Sequence, residues 1–146
     1  MSEESKQKIS DYLKSHNKMT LATVAPDGRP QTHTVEYAPE GATVYFCTMR
    51  TTRKAMNIAK NPNVAYSVDE DYEDWMKIQG VQMEGRAKVL SDPQETQHAI
   101  GVYLKKFPQV ASFPPNPDMV FVKIEPVEGF FLDYVKEFGH RERAKF

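Results

Sequence analysis

Apolar positions along the chain follow two periods, and the helical period occurs in three segments. In the first segment, Ile9, Tyr12 and Leu13 lie three or four residues apart among charged side chains, which is typical of an amphipathic helix. In the second, Thr51 or Thr52 can cap a short helix that stops at Asn61-Pro62. The third follows an aspartate–proline–glutamine–glutamate cap and ends before a proline. The predicted helices span residues 2–16, 51–60 and 93–107.

The other patterned segments are rich in β-branched and aromatic residues, which predicts strands. Seven strands are predicted, at residues 19–25, 31–37, 42–48, 64–68, 76–90, 119–125 and 129–134. In the fifth, the apolar positions change parity around Gly80, which favours a bulge or sharp bend there. A turn is predicted at Pro39-Glu40-Gly41, and the last two strands are joined at Pro126. The elements together predict an α+β fold, an antiparallel barrel decorated by helices.

Composition and charge narrow the class of protein. The chain has 146 residues, 40% hydrophobic and 27% charged, which predicts one globular domain over residues 1–146. The net charge of −1 gives no overall attraction to nucleic acid or to an anionic membrane, so neither is expected as a partner. Cys47 is the single cysteine, which excludes an intrachain disulfide. The polar start and the lack of a long apolar run predict a cytoplasmic protein.

One segment of the chain concentrates positive charge. Residues 50–60 contain four basic side chains and no acidic one, within a protein whose net charge is −1. The basic residues begin a predicted helix, the end at which cations are electrostatically disfavoured. Hydroxyl groups, helix amides and guanidinium groups that converge there are typical of a phosphate-binding site. The alternative is a solvated basic helix, and the chemistry of this segment alone leaves both interpretations open.

The same segment resembles the flavin-phosphate motif of the pyridoxamine 5′-phosphate oxidase-like family, the FMN-binding split barrels. The matching residues are Cys47-Thr48, then Arg53-Lys54-Ala55, Ile58 and Asn61-Pro62-Asn63-Val64. The likeness extends from about Met19 to Leu90, with a looser match through the last two predicted strands. It implies an antiparallel split β-barrel of about seven strands with three helices, FMN as the cofactor, and a homodimer with the flavin at its interface.

The resemblance also assigns residues to the two ends of the flavin. At the phosphate end, Arg53 and Lys54 would hold the phosphate, and Thr48 would contact the phosphate or the ribityl chain. At the ring end, His33, Thr34 and Val35 match the strand that the family lays along the isoalloxazine ring. Gln79 falls near a glutamine that reaches the flavin from the facing subunit. Cys47 replaces the usual aromatic residue beside Thr48.

Departures from the family motif bear on the reaction. The vitamin B6 oxidase carries an Arg-x-His element near its C-terminus, which Gly139-His140-Arg141 does not reproduce. Glu36 places a charge where the oxidase is aliphatic. We therefore expect an FMN-dependent oxidoreductase that acts on another small molecule, with no catalytic residue assigned. The alternatives are a flavin-binding carrier or stress protein without a dedicated substrate, and a protein of the same fold that uses deazaflavin F420 or haem.

Metal binding is not expected from the histidines. His16, His33, His98 and His140 show no spacing typical of metal ligands. No nucleophile–histidine order suggests hydrolysis either, and a flavin would supply its own redox chemistry. The sequence therefore predicts no metal site.

Overall fold

A computed structural model describes residues 2–146, with three α-helices and eight strands among them. The helices are α1 (Ser2–Ser15), α2 (Arg53–Lys60) and α3 (Pro93–Lys106). The strands are β1 (Lys18–Val24), β2 (Pro30–Glu36), β3 (Ala38–Glu40), β4 (Thr43–Met49), β5 (Asn63–Val68), β6 (Gln79–Val89), β7 (Met119–Asp133) and β8 (Arg141–Lys145). Two 3₁₀-helices span Trp75–Lys77 and Pro108–Ser112. The predicted domain starts at Met1, which lies outside the described residues.

All eight strands belong to one antiparallel sheet. Seven follow the order β2-β1-β5-β6-β7-β4-β3, and β8 pairs with β7 beside this path. β2 and β3 are the two ends of the path, so the curled sheet forms a barrel that is open between them. The predicted α+β fold, an antiparallel split barrel of about seven strands with three helices, is confirmed.

Strand β7 is a single strand of 15 residues, so the prediction of two strands joined at Pro126 is wrong. Its register with β6 shifts at Gly85, which lies opposite Pro126, and Val127 is the extra residue of a bulge. Proline has no N–H for the ladder, and a bulge is where a strand tolerates it. Strands β6 and β7 also approach each other closely here, because a Cβ on Gly85 would lie 2.7 Å from Cγ2 of Ile124.

The change of parity near Gly80 does not come from a bulge there. Trp75–Lys77 is a 3₁₀-helix, and β6 begins only at Gln79. From Val81 to Ala87 the buried residues alternate without interruption. The prediction of a strand from residue 76 is therefore wrong. A short run of apolar residues has the same sequence pattern in a 3₁₀ turn as in a strand.

The pattern also misses two edge strands. β3 includes the Pro39-Glu40 segment that was predicted as a turn. β8 has the sequence RERAK, and Ala144 is its one buried residue. Edge strands tolerate proline and charged side chains because one of their sides has no strand partner. Such segments lack the apolar alternation that predicts a strand.

The main core fills the barrel interior, and α1 contributes Ile9, Tyr12 and Leu13 to it, as predicted. Helix α3 covers the other face of β4, where Ala99 and Tyr103 are buried. Among the described residues, no helix is both long and apolar enough to cross a membrane. The barrel thus has one face filled by its own side chains and one face packed against α3.

The Gly139-His140-Arg141 segment forms the turn into β8. Gly139 has a φ of 84°, in the left-handed region that glycine adopts most readily. His140 places Nε2 2.9 Å from Oε2 of Glu142. The backbone N–H of Asp133 donates to the carbonyl of His140 at 3.0 Å, which closes the turn. The structure therefore gives this segment a local folding role.

Two lysines converge on Glu142. Lys8 of α1 lies 3.0 Å and Lys136 3.3 Å from Oε2 of Glu142, whose side chain is 14% exposed. We call Lys8, Lys136, His140 and Glu142 the Glu142 cluster. Burial raises the pKa of Glu142, but hydrogen bonds from Lys8, His140 and Lys136 outweigh it and lower that pKa to about 2. The cluster ties β8 to α1 through compensated charges.

Candidate functional site

The strands that the sequence assigned to a ligand, β2 and β4, border the opening of the barrel. β2 pairs with β1 alone among the described strands. β4 pairs with β3 only through Thr43–Tyr45, so beyond Tyr45 its side opposite β7 has no strand partner. Alternate backbone N–H and C=O groups on such edges point away from the ladder. Both rims of the opening can therefore donate hydrogen bonds to a bound molecule and accept them from it.

Helix α2 begins directly after β4 and brings two threonine hydroxyls together. Thr52 is the N-cap, and its Oγ1 accepts a hydrogen bond from the backbone N–H of Ala55 at 3.4 Å. That hydroxyl donates to the carbonyl of Met49 at 2.8 Å and lies 3.2 Å from Oγ1 of Thr48. Thr48 is 8% exposed. Of the two caps predicted, Thr52 is the one used.

The first two residues of α2, Arg53 and Lys54, are cations without a carboxylate partner. Within residues 2–146 neither forms a salt bridge, whereas nearby Arg50 lies 3.4 Å from Asp118. Burial, and then the charge of Arg53, lowers the pKa of Lys54. Cations at a helix N-terminus also oppose the helix dipole. This corner of the protein therefore carries uncompensated positive charge beside free helix amides, which suits a bound anion.

His33 of β2 lies beside these cations. Burial, followed by the charges of Lys54 and Arg53, lowers its pKa. Nε2 of His33 is 2.9 Å from Oγ1 of Thr23, a side chain with no solvent exposure. That oxygen accepts a hydrogen bond from the amide of Asn57 at 2.9 Å, and its own proton can be donated to Nε2 of His33. The lowered pKa favours the neutral imidazole, and in the arrangement in which Thr23 donates to Nε2 the ring proton lies on Nδ1.

The residues that contact His33, directly or through Thr23, were not predicted from the sequence. Asn57 is buried and donates both to Thr23 and, at 2.9 Å, to Oε1 of Gln31. A signal for Asn57 exists in the sequence, since it lies between Ala55 and Ile58 on the buried face of α2. A polar residue on such a face needs a partner. Thr23 gives no comparable signal, because threonine is common in strands.

The remaining ring-end residues lie on different faces of their strands. Val35 is buried in the core, and Thr34 is exposed on the outer face of the sheet opposite Thr20, so β2 offers the opening mainly its backbone edge. Cys47 is half-buried on the face of β4 that packs against α3, opposite to Thr48. The structure thus brings together His33, Thr48, Arg53 and Lys54, while Cys47 lines a different surface.

Metal binding finds no support in the part of the chain described. No group of three or more His, Cys, Asp or Glu side chains there is arranged to hold a metal ion. His16, His98 and His140 each lie within 2.9 Å of a glutamate oxygen. These three histidines are therefore engaged in ordinary polar contacts.

Comparison with known proteins gives the family. A family model described as "Pyridoxamine 5'-phosphate oxidase" matches residues 5–133. The chain belongs to this family. Its relatives within the pyridoxamine 5′-phosphate oxidase-like family include General stress protein 26 of Bacillus subtilis, 30% identical over 121 residues that cover 83% of each chain. The resemblance inferred from the phosphate motif is confirmed.

Solved structures of similar fold come from several bacteria. A heme binding protein of Mycobacterium smegmatis superposes with a TM-score of 0.82 at 17% identity, over 96% of this chain and 57% of its own. General Stress Protein 26 of Bacillus anthracis superposes with a TM-score of 0.70 at 23% identity, over 97% and 98%. At these identities the likeness shows the fold. This member of the family spans little more than half of the mycobacterial chain.

Gln79 lies outside the group of residues at the opening. Its amide donates to Oδ1 of Asp133 at 3.0 Å, and its carbonyl accepts from the hydroxyl of Tyr12 in α1 at 3.1 Å. In this family member the glutamine side chain is therefore held beside α1. Its contact with a flavin in a facing subunit stays a prediction.

Proposed function

We propose that this protein binds FMN at the opening of its barrel and uses it in an oxidoreductase reaction on a small molecule. The observation that carries the proposal is the pair Arg53 and Lys54, which start α2 without a carboxylate partner among the described residues. A phosphate dianion compensates two such cations and also accepts from helix amides. Membership of the family supports FMN as the source of that phosphate.

Different residues at the opening would bind the phosphate, the ribityl chain and the ring of FMN. Arg53 and Lys54 would hold the phosphate, and Thr48 would contact the phosphate or the ribityl chain. The edge of β2 at residues 33–35 would run along the ring, with the Nδ1–H of His33 free to donate to a ring acceptor. FMN, when bound, supplies the redox chemistry of its ring, and the protein contributes position and hydrogen bonds.

Pyridoxamine 5′-phosphate is not the expected substrate. Glu36 is an exposed carboxylate on β2, and a phosphorylated dianion near it would be repelled. The C-terminal segment does not supply a substitute for the Arg-x-His element, since His140 already contacts Glu142. Steady-state assays should give oxidation of this compound well below about 1 s⁻¹, a low value for an enzyme acting on its own substrate. A faster rate would contradict the assignment.

A homodimer is part of the proposal, with the flavin between two copies. The outer face of the sheet supports it, because small side chains there leave a broad surface for a second copy. Those side chains are Thr20, Ala22, Thr32, Ala65 and Ser67. A stable interface of this kind should bury more than ~2,000 Å². Light scattering at micromolar concentration should give twice the mass of the chain, and a monomer with cofactor present would count against the dimer.

Release of the cofactor tests the proposed function most directly. The protein is purified, denatured, and the released molecule is identified by its mass; we expect FMN. Deazaflavin F420 or haem in its place would overturn the assignment of FMN. FMN without turnover of reduced nicotinamide or another donor would favour the second candidate, a flavin-binding stress protein. The 30% identity to General stress protein 26 supports that candidate. A cytoplasmic location stays a prediction.

A further inference from the structure

A groove of about 690 Å³ lies where α3 and the 3₁₀-helix Pro108–Ser112 meet strands β4 and β7. Six side chains form most of its apolar wall, and we call this surface the aromatic groove: Cys47, Tyr103, Phe107, Val110, Phe113 and Phe121. Pockets that hold small molecules commonly have several hundred cubic ångströms and a few polar groups among apolar walls. The aromatic groove has the size and composition of a ligand site.

The rings of the groove are arranged around Tyr103. The ring centroid of Phe107 is 5.1 Å from that of Tyr103, and the centroid of Phe121 is 5.7 Å away in an edge-on arrangement. Phe113 closes the groove from the loop after the 3₁₀-helix and is 61% exposed. Phe113 is thus a large apolar side chain left open to water in a concave surface whose other rings are mostly buried, and this favours a planar aromatic ligand.

Two charged residues line the groove, Lys106 and Glu36. Lys106 donates to the carbonyls of Leu13 and His16, and its Nζ lies 4.4 Å from the ring centroid of Tyr37. Burial lowers the pKa of Lys106 to about 8, although the charge of Glu36 acts in the opposite direction. Glu36 forms no ion pair within residues 2–146. Lys106 is therefore already hydrogen-bonded within the protein, whereas the carboxylate of Glu36 is unpaired. Binding of a dianionic ligand in the groove is disfavoured by this carboxylate.

The thiol of Cys47 does not make the groove a covalent site. Burial raises its pKa, and the hydrogen bond with Tyr103 opposes this effect only in part. The thiol is thus protonated near neutral pH, and a protonated thiol is a poor nucleophile. Cys47 serves the groove as a small apolar surface.

The groove adjoins the strand segments assigned to the flavin ring. Glu36 directly follows residues 33–35 on β2, and Cys47 directly precedes Thr48 on β4. Both rims of the opening thus contribute to the groove, so a molecule in it would lie beside the end of β2, the strand assigned to the flavin ring. The ring is the part of the flavin that a redox partner has to approach.

We propose that the aromatic groove is the substrate subsite and that it takes an uncharged planar aromatic molecule. The inference rests on the proposed function in one respect, since the word substrate assumes a flavin along β2. The aromatic walls, the committed Lys106 and the free carboxylate of Glu36 are independent of that assumption. Of these, the carboxylate of Glu36 disfavours phosphorylated aromatic compounds as ligands of the groove.

Binding of matched naphthalene probes tests the proposal. The FMN-loaded protein is titrated calorimetrically in phosphate buffer with 2-naphthol, which is uncharged, and with 2-naphthyl phosphate, a dianion. We expect 2-naphthol to bind about 10-fold more tightly, because Glu36 repels the dianion. In Glu36→Gln this difference should shrink. Equal or tighter binding of 2-naphthyl phosphate to the unaltered protein would overturn the proposal.

Two phenylalanines of similar exposure give the control for location. Phe113→Ala should weaken 2-naphthol binding by about 5- to 10-fold, since one wall of the groove is lost. Phe138→Ala removes a ring that is 56% exposed and lies at the β7–β8 turn, and it should leave the affinity unchanged. Equal effects of the two substitutions, or none from Phe113→Ala, would show that the probe binds elsewhere.

The variant Arg53→Ala separates this proposal from the proposed function. It should lose FMN affinity and keep 2-naphthol binding. If the unaltered protein binds 2-naphthol in the groove but no FMN, the proposed function fails and the binding site stands. If it binds FMN but 2-naphthol neither binds nor perturbs the flavin absorbance, the substrate subsite is wrong and the proposed function stands.

Discussion

Two groups of cations in this protein have opposite surroundings. In the Glu142 cluster, Lys8 and Lys136, together with the imidazole of His140, surround one carboxylate whose pKa falls to about 2. At the start of α2, Arg53 and Lys54 lie together without any carboxylate within salt-bridge distance in the described chain. The charges of the first group form ion pairs that join β8 to α1. The second group has no such partner among the described residues, and this difference is why we propose that it binds an anion from outside the chain.

The largest expected effect comes from removing the anion of the compensated group. Glu142→Gln leaves Lys8 and Lys136 together without their carboxylate, so we expect the free energy of unfolding to fall by about 3 kcal/mol. Urea denaturation measures this. The matched control is Glu4→Gln, because Glu4 also faces Lys8, at 3.8 Å, but is 64% exposed. The control should cost less than about 0.5 kcal/mol; equal losses would mean that burial of the pair is irrelevant.

The same carboxylate should make stability depend on acidic pH. Its pKa in the folded protein, about 2, is below the ordinary value of 4.5, so the folded state binds fewer protons than the unfolded state between these values. The stabilisation is complete above pH 4.5 and is lost as the pH falls toward 2. Thermal denaturation across this range should show a steep decline in the unaltered protein. Glu142→Gln should show a shallower one, and parallel curves would rule out Glu142 as the source.

Substitutions of Arg53 and Lys54 should change the affinity for FMN and leave the stability of the protein nearly unchanged. Replacing Arg53 or Lys54 by alanine should weaken FMN binding about 10- to 100-fold, because each loses a charge-assisted hydrogen bond to the phosphate. Riboflavin, which lacks the phosphate, should bind nearly as before. Stability without ligand should change little, since repulsion at the helix start is relieved. Fluorescence titration gives both affinities.

The control for that experiment is Lys60→Ala at the far end of α2, which also forms no salt bridge within residues 2–146. A loss of FMN affinity as large as that of Arg53→Ala would indicate general electrostatic attraction. The specific phosphate site would then be wrong.

The smallest expected effect concerns the polar contacts beside the uncompensated group. At neutral pH, nitrogen chemical shifts of His33 should report a proton on Nδ1, held there by Thr23. Thr23→Val removes that contact, so the imidazole should shift toward the other tautomer. Unfolding free energy should fall by about 1 kcal/mol, because the amide of Asn57 loses one acceptor. An unchanged tautomer in the variant would mean that Thr23 does not position His33.

Much of the site could be predicted before the structure was known, and the reasons are local. A cation pair without nearby acidic residues is visible in the sequence, as are a threonine cap and the proline that stops α2. Thr23 and Gln31 could not be found this way, because their partner Asn57 is distant along the chain. Their contacts exist only once β1, β2 and α2 meet at one end of the barrel.

The fold shows the same division. The apolar periods determined which segments become helices and central strands, since burial of one face leaves a regular pattern. Charged β8, three-residue β3 and the continuous path of β7 through Pro126 depended on neighbouring strands, which supply hydrogen bonds that no local pattern records. By itself the sequence determined the family motif and the concentration of positive charge in residues 50–60. Only the tertiary structure decided that Glu142 compensates its cations and that Cys47 faces a groove, because both depend on residues that are distant along the chain and meet only in the folded protein.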